Sequence, residues 1–168
     1  NGNAILTGGA GNDLIFGGAG HDIVNGSDGA DQLMGDAGND RIFGGAGDDI
    51  IYAGDGNDRL EGGAGSDTLM GYSGQDVFVF TASDNFDGSG DLIRDFRSGE
   101  DVIDMSGLNL TFIGEAQFSG NGSGGQVRSY WSAATARVLE VDLNGDWQVD
   151  LTISIGSVGA ITDSDLLL

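Results

Sequence analysis

A nine-residue period dominates this chain and fixes most of what it can fold into. From Gly8 the sequence divides without a gap into GGAGNDLIF, GGAGHDIVN, GSDGADQLM, GDAGNDRIF, GGAGDDIIY, AGDGNDRLE, GGAGSDTLM and GYSGQDVFV, ending at Val79. In all eight units the fourth residue is glycine, the sixth is aspartate and the eighth is apolar. Glycine permits backbone angles closed to other residues, so the first six residues are expected to turn tightly with their carbonyls converging. The last three are expected to form a short strand whose middle residue alone points inward. Two units then close one coil of eighteen residues, with turns on opposite edges and two parallel sheets face to face. The fold class this predicts is all-β: a parallel β-roll, or right-handed two-sheet solenoid of nonapeptide repeats.

Stacked coils lie about 4.8 Å apart, the strand spacing of a sheet. Aspartates eighteen residues apart therefore fall into two columns, Asp13, Asp31, Asp49, Asp67 and Asp22, Asp40, Asp58, Asp76. Two carboxylates at that spacing can both reach an ion midway between them at about 2.4 Å, the Ca2+–O distance, with turn carbonyls completing an all-oxygen shell. Without an ion, neighbours in a column repel by roughly 3–4 kcal/mol at an effective dielectric of about 20. One inward side chain in nine is a thin core for a glycine-rich chain, so calcium is the expected staple, with binding and folding coupled. A flexible linker or an acidic disordered tail would not keep three residue types in phase over eight units.

Composition narrows the function classes. A net charge of −21, with six arginines and no lysine, repels phosphate backbones and anionic lipid, so nucleic acid and membrane insertion are not expected and cations are the natural partners. Absence of cysteine removes disulfides and thiolate metal sites. No apolar run approaches the roughly 18 residues of a membrane span, and no charged-then-apolar export segment opens the chain. His21 is the one histidine, so neither an H-E-x-x-H zinc motif nor a Cys/His nucleophile pair is possible. No catalytic residue and no organic cofactor is expected; His21 reads as a surface residue, and the chain as a monomer.

The units match the repeat-in-toxin (RTX) nonapeptide G-G-x-G-x-D-x-U-x, and residues 80–168 resemble the C-terminal region of serralysin-type secreted metalloproteases. The stretch GDLIRDFRSGEDVIDMSGL at residues 90–108 and the acidic-apolar chain end carry the second likeness. The resemblance implies an ion between each turn and the turn two units later. The first turn supplies its aspartate and the carbonyls of positions two and four; the second supplies its aspartate and the carbonyls of positions one and three. It thus implies six interior calcium sites: Gly9, Gly11, Asp13, Gly26, Asp28, Asp31; Gly18, Gly20, Asp22, Gly35, Ala37, Asp40; Ser27, Gly29, Asp31, Gly44, Ala46, Asp49; Asp36, Gly38, Asp40, Ala53, Asp55, Asp58; Gly45, Gly47, Asp49, Gly62, Ala64, Asp67; and Gly54, Gly56, Asp58, Gly71, Ser73, Asp76. A seventh is implied where the roll closes, from Gly63, Gly65 and Asp67 with Asp84 and Asp91. Ala4 stands where the N-terminal edge lacks its aspartate, so that edge is expected to bind poorly. The resemblance further implies a secreted, extracellular protein, a type I secretion apparatus and an upstream catalytic domain as partners, and a chain that is part of a longer one.

Two domains are expected: the roll at 1–80 and a C-terminal β cap and secretion-signal module at 81–168. After a polar loop at 81–89, the runs VIDM, LTFI, QVRSYW, RVLEVDL and VDLTISI read as antiparallel strands. Asp142, Asn144, Asp146 and Asp150 have the first, third, fifth and ninth places of an EF-hand-like loop. Ile153 replaces its glutamate, and Asn144-Gly145 is also a hairpin signal, which is preferred. Asp165, Leu166, Leu167 and Leu168 resemble an uncleaved export signal or form a last packed strand. Outward positions Phe16, Met34, Tyr52 and Met70 stack into an apolar ladder expected to contact another part of the parent chain. The leading function is a calcium-dependent secretion and folding module; the alternative is an extracellular calcium-dependent binding module for polysaccharide or adhesion.

Overall fold

Strand partners throughout the first half of the molecule lie eighteen residues apart: Ile5 pairs with Ile23, Leu14 with Gln32, Ile23 with Arg41 and Gln32 with Ile50. The computed structural model describes residues 2–82, 84, 90–112, 125–132, 136–144, 148–156 and 161–168. Along the roll run β1 (Ile5–Ala10), β2 (Leu14–Ala19), β3 (Ile23–Asp28), β4 (Gln32–Ala37), β5 (Arg41–Ala46), β6 (Ile50–Asp55), β7 (Arg59–Ala64), β8 (Thr68–Ser73) and β9 (Val77–Val79). Odd-numbered strands form one parallel sheet and even-numbered strands the other.

The strands β1 to β8 are six residues long, twice the expected length. Positions one to three of the following unit also join the ladder, as in Gly9 with Ser27 and Gly18 with Asp36, so the turn contracts to positions four to six. Turning this tightly requires left-handed backbone angles at positions two and four. Glycine supplies all of the fourth positions, but Ser27 (φ 86°), Asp36 (φ 72°) and Tyr72 (φ 66°) adopt them at position two. Each such residue costs on the order of 1–2 kcal/mol.

Eighth-position side chains fill the interior. Val24, Leu33, Ile42, Ile51, Leu60, Leu69 and Phe78 are wholly buried, whereas Leu6 and Ile15 at the N-terminal edge are partly so. Fifth positions form a second ladder that the sequence reading missed. Asn3 Oδ1 accepts the His21 N–H (2.9 Å), His21 Nδ1 accepts the Asn39 N–H (2.6 Å), Asn39 Oδ1 that of Asn57 (3.1 Å) and Asn57 Oδ1 that of Gln75 (3.0 Å). His21 is thus a backbone acceptor in its Nε2–H tautomer, a structural role.

Beyond the eighth unit both sheets keep growing. β10 (Gly90–Ile93) lies parallel to β8, and β11 (Val102–Asp104) parallel to β9. Ile93 thereby stacks on Leu69 and Ile103 on Phe78, and Phe96 packs against Phe78 with ring centroids 6.0 Å apart. The VIDM run is therefore parallel, which corrects the antiparallel expectation. So is LTFI, whose β12 (Leu110–Phe112) runs parallel to β13 (Gly125–Ser132). The remaining runs are antiparallel as expected: β13, β14 (Ala136–Asp142) and β15 (Leu151–Gly156) form a meander that joins β10 through β15. Among the described residues the helical elements are two short 3-10 turns, and no helix is long and apolar enough to cross a membrane.

The last strand, β16 (Leu166–Leu167), lies parallel to β11, and Leu167 O accepts the Met105 N–H (2.7 Å). Asp165, 1% exposed, secures it by accepting the N–H of Gly99 (2.9 Å), the Ser98 hydroxyl (3.0 Å) and the N–H (2.8 Å) and hydroxyl (2.9 Å) of Thr162. Burial opposes ionisation of this carboxyl, but those donors outweigh it and hold the pKa below its ordinary value. Asp165→Ala should therefore destabilise the C-terminal layer by about 2–3 kcal/mol, seen as early hydrogen exchange at Met105. Unchanged protection of that amide would rule out the anchoring role.

Candidate metal centre

Each repeat aspartate is positioned by the strand it precedes. The glycine turn ends at it, and the following parallel ladder fixes its height in the stack. Its Oδ1 accepts the N–H of the aspartate one coil earlier: Asp31 from Asp13 (2.7 Å), Asp40 from Asp22 (2.8 Å), Asp49 from Asp31 (2.8 Å), Asp58 from Asp40 (2.7 Å), Asp67 from Asp49 (2.8 Å) and Asp76 from Asp58 (3.0 Å). Both expected columns are thereby built. Ala4 begins the second by donating its N–H to Asp22 Oδ1 (2.7 Å), with no carboxylate of its own.

The second oxygen has no protein donor. Oδ2 of Asp13, Asp22, Asp31, Asp40, Asp49, Asp58 and Asp67 is buried without a hydrogen-bond partner, a situation that costs about 1–3 kcal/mol or more for each charged group. This oxygen faces the first-position glycine of its own unit, where a main-chain carbonyl of the next coil also arrives. A Cβ built on Gly17 would lie 2.8 Å from both Asp22 Oδ2 and Gly35 O, and one on Gly35 would lie 2.5 Å from both Asp40 Oδ2 and Ala53 O. Gly8, Gly26 and Gly44 repeat the arrangement with Asp13 and Gly26 O, Asp31 and Gly44 O, and Asp49 and Gly62 O. A side chain would fill this space, which is why glycine recurs there.

In this way the structure brings together the first-turn aspartate and the second-turn position-one carbonyl of five implied sites. Carbonyls at positions two and four, such as Ser27 O, Asp36 O, Gly38 O and Gly56 O, lie 1.7–2.0 Å from where a Cβ would stand on the matching glycine of the next coil. Position-three carbonyls are engaged in the ladder: Asp28, Ala37, Ala46, Asp55, Ala64 and Ser73 accept the N–H groups of Gly11, Gly20, Gly29, Gly38, Gly47 and Gly56 at 2.6–2.8 Å. Among the described residues no three or more His, Cys, Asp or Glu side chains converge closely enough to hold a metal ion by side chains alone. The converging donors are a carboxylate oxygen and a backbone carbonyl, hard oxygen ligands that suit Ca2+. The residues present fit that ion.

Charge tells the same story. Burial first, then the carboxylates above and below, push Asp49 and Asp76 up to about 7. Burial with like-charged neighbours raises Asp58 and Asp67 to about 6 and lifts Asp40 as well, against the backbone N–H that each accepts.

The columns end in residues outside the repeats. Asp67 donates its N–H to Asp91 Oδ1 (2.9 Å), and burial plus the charges of Asp67 and Asp84 raise Asp91 to about 7. Asp84 accepts the N–H of Thr81 and is raised to about 7 by burial, then by Glu61 and Asp67. Asp67, Asp84 and Asp91 are therefore electrostatic neighbours. The other column ends in Asp101, which the sequence reading missed: its Oδ1 accepts the Asp76 N–H (3.1 Å) and its Oδ2 that of Arg97 (2.7 Å). The signal was present, because Asp91-Leu92-Ile93 and Asp101-Val102-Ile103 both repeat the Asp-x-apolar end of a unit without its glycine turn.

At the EF-hand-like stretch, Asp150 Oδ2 accepts the Leu143 N–H (2.7 Å), and Val141 O that of Asp150 (2.7 Å), as a hairpin cap does. Gly145 and Asp146 lie outside the described residues, as does part of the 81–89 loop.

Comparison with known proteins agrees with this chemistry. The family model of the RTX calcium-binding nonapeptide repeat matches residues 1–33, 25–60 and 52–87. The metallopeptidase AprA of Pseudomonas marginalis is 36% identical over 91 residues, 51% of this chain; the chain spans 18% of that relative's length. The solution structure of the AlgE6R3 subunit from the Azotobacter vinelandii mannuronan C5-epimerase superposes with a TM-score of 0.58 at 26% identity, covering 95% of this chain and 80% of that one.

Two outcomes follow from the columns. A carboxyl whose folded pKa is raised stabilises the fold below the unfolded value of 3.8 and loses that contribution as pH rises through 6–7. Under chelation the roll should therefore hold more β-structure at pH 5 than at pH 7.5, while its calcium midpoint, set by competition with protons, should rise several-fold between pH 7.5 and 6. Circular dichroism and calcium titration across that range check both signs. Second, Asp49→Ala removes a carboxylate between two neighbours and Asp13→Ala one at the column's end, so the first should lose two bound ions and the second one. Equal losses would contradict the stacked register.

Proposed function

The chain belongs to the RTX calcium-binding nonapeptide repeat family, and from that membership we propose that it is a non-catalytic module that folds on Ca2+ outside the cell, supports type I secretion and stabilises an upstream catalytic domain. The single observation that carries this reading is the row of seven buried, unpartnered Oδ2 atoms. Protein alone does not complete their coordination, and a divalent cation with oxygen preference does. Where free calcium is low the columns repel and the glycine-rich coils stay open; where it is millimolar they close. Each interior ion would take the paired aspartates and the carbonyls that the family resemblance implies, six in all, with a seventh at Asp67, Asp84 and Asp91. Likeness to a metallopeptidase supports a protease as the upstream domain.

A second reading, an extracellular calcium-dependent polysaccharide-binding module, is favoured by the likeness to a repeat subunit of an enzyme named for mannuronan. Calcium-dependent retention on polysaccharide columns would support it, and free passage would count against it.

Chelation by EDTA should abolish most of the β signal, and millimolar calcium should restore it cooperatively; a spectrum indifferent to chelator would sink the proposal. Deleting residues 165–168 from the parent protein should lower export while calcium-driven folding of the roll persists. Normal export of the truncated parent would refute the signal assignment.

A further inference from the structure

The outer face of the sheet β2–β4–β6–β8 carries a groove floored by the core residue Ala53 and bordered by turns of the implied calcium sites, whose exposed side chains serve neither. It encloses about 460 Å³ and is lined by Met34, Asp36, Tyr52, Asp55 and Tyr72. The two tyrosine rings lie alongside one another, with centroids 6.4 Å apart and planes inclined by 25°.

Tyr72 occupies the second position of its unit, where the turn demands a positive φ and five of the eight units place glycine. A bulky aromatic residue at φ 66° is a backbone outlier. Asp95 holds it there, accepting the N–H groups of Gly71 (3.0 Å) and Tyr72 (2.8 Å). Yet Tyr72 remains 47% exposed, so core burial does not account for the strained position. Asp36, also strained, precedes it in the same column and lines the same groove. Asp55 completes the wall, its carboxylate oriented by the Ser73 hydroxyl at 2.7 Å.

Two carboxylates beside two phenol rings form a recognition surface for a flat cation. The negative ring faces and the carboxylates attract the same charge, and a guanidinium suits both because it stacks on aromatic rings and pairs with carboxylates through a planar fork. A net charge of −21 disfavours an anionic occupant. Arg94 lines the adjoining groove on the other side of Tyr52, so positive charge is favoured at the Asp36 and Asp55 wall and opposed beyond it.

We propose that this groove binds an arginine side chain carried by a basic segment of a partner polypeptide, the guanidinium lying against Tyr52 and Tyr72 with Asp36 and Asp55 as counter-ions. The groove thus reads a single arginine of the partner on an otherwise generally acidic surface.

The calcium-loaded chain, titrated by NMR at physiological salt with N-acetyl-arginine amide, tests this. Saturable shifts should centre on Tyr52 and Tyr72, and the neutral isostere N-acetyl-citrulline amide should bind roughly tenfold more weakly. Tyr52→Leu should weaken the arginine response at least several-fold. Tyr72→Gly should abolish it while keeping calcium stoichiometry and raising the Tm, because glycine accepts the positive φ without strain. Equal responses to arginine and citrulline, shifts spread over the acidic surface and unmoved by Tyr72→Gly, or a response to a neutral disaccharide in place of arginine would each overturn the proposal. So would a lower Tm in Tyr72→Gly, which would assign the tyrosine to packing alone.

Discussion

The structure depends on one divided carboxylate. From Asp22 to Asp67 one oxygen of the repeat aspartate takes a backbone N–H from the coil before it, which locks the register between coils; the other is buried with no protein donor. A single side chain therefore both sets the stack and leaves it electrostatically unfinished. The same burial that makes the hydrogen bond worthwhile in a dry interior raises the cost of the free charge, and like charges above and below add to it. Only protons or a bound cation relieve that cost, which ties folding to the ionic composition of the surroundings.

Glycine at the first position belongs to the same constraint. Its hydrogen leaves room for the aspartate oxygen and the next coil's carbonyl to converge, and most units would lose that space to a methyl group. Unit six is the exception, with a fully buried Ala53 at this place. The pattern that first appears as a backbone requirement is, at this position, a requirement for empty volume beside a ligand atom.

Because the repeat is a physical period and not merely a composition, the roll was legible in the sequence: sheet assignment, register, inward residues and both aspartate columns follow from eighteen-residue spacing. The six-residue strands were not, because Gly-Gly-Ala segments carry no strand propensity and enter the ladder only through coil-to-coil hydrogen bonds. The direction of β11 was hidden for a different reason. VIDM alternates equally well in a parallel or an antiparallel sheet, and the choice is made by Ile103 stacking on Phe78 across a gap of twenty-five residues in place of eighteen. Asp101 escaped for the same cause, its Asp-x-apolar signature being intact but its glycine turn gone. Fifth-position side chains were read as free to vary, yet asparagine, histidine and aspartate there share one property, an acceptor atom bonded directly to Cγ that reaches the next turn's N–H.

The C-terminal end of the stack is closed by residues outside the repeats: Asp91 and Asp101 continue both columns, and Ile93 and Ile103 lay a complete apolar layer over Leu69 and Phe78. The meander β13–β15 behind them is an antiparallel sheet with its own buried Val127, Leu139, Val141, Ile153 and Ile155, and the repeat aspartate columns do not run through it. In a solenoid each coil touches only its neighbours, so the first coil to form bears a loop-closure cost that later coils share with a template already in place. The capped end supplies that template: a strand edge, an apolar floor and the terminal carboxylate of each column.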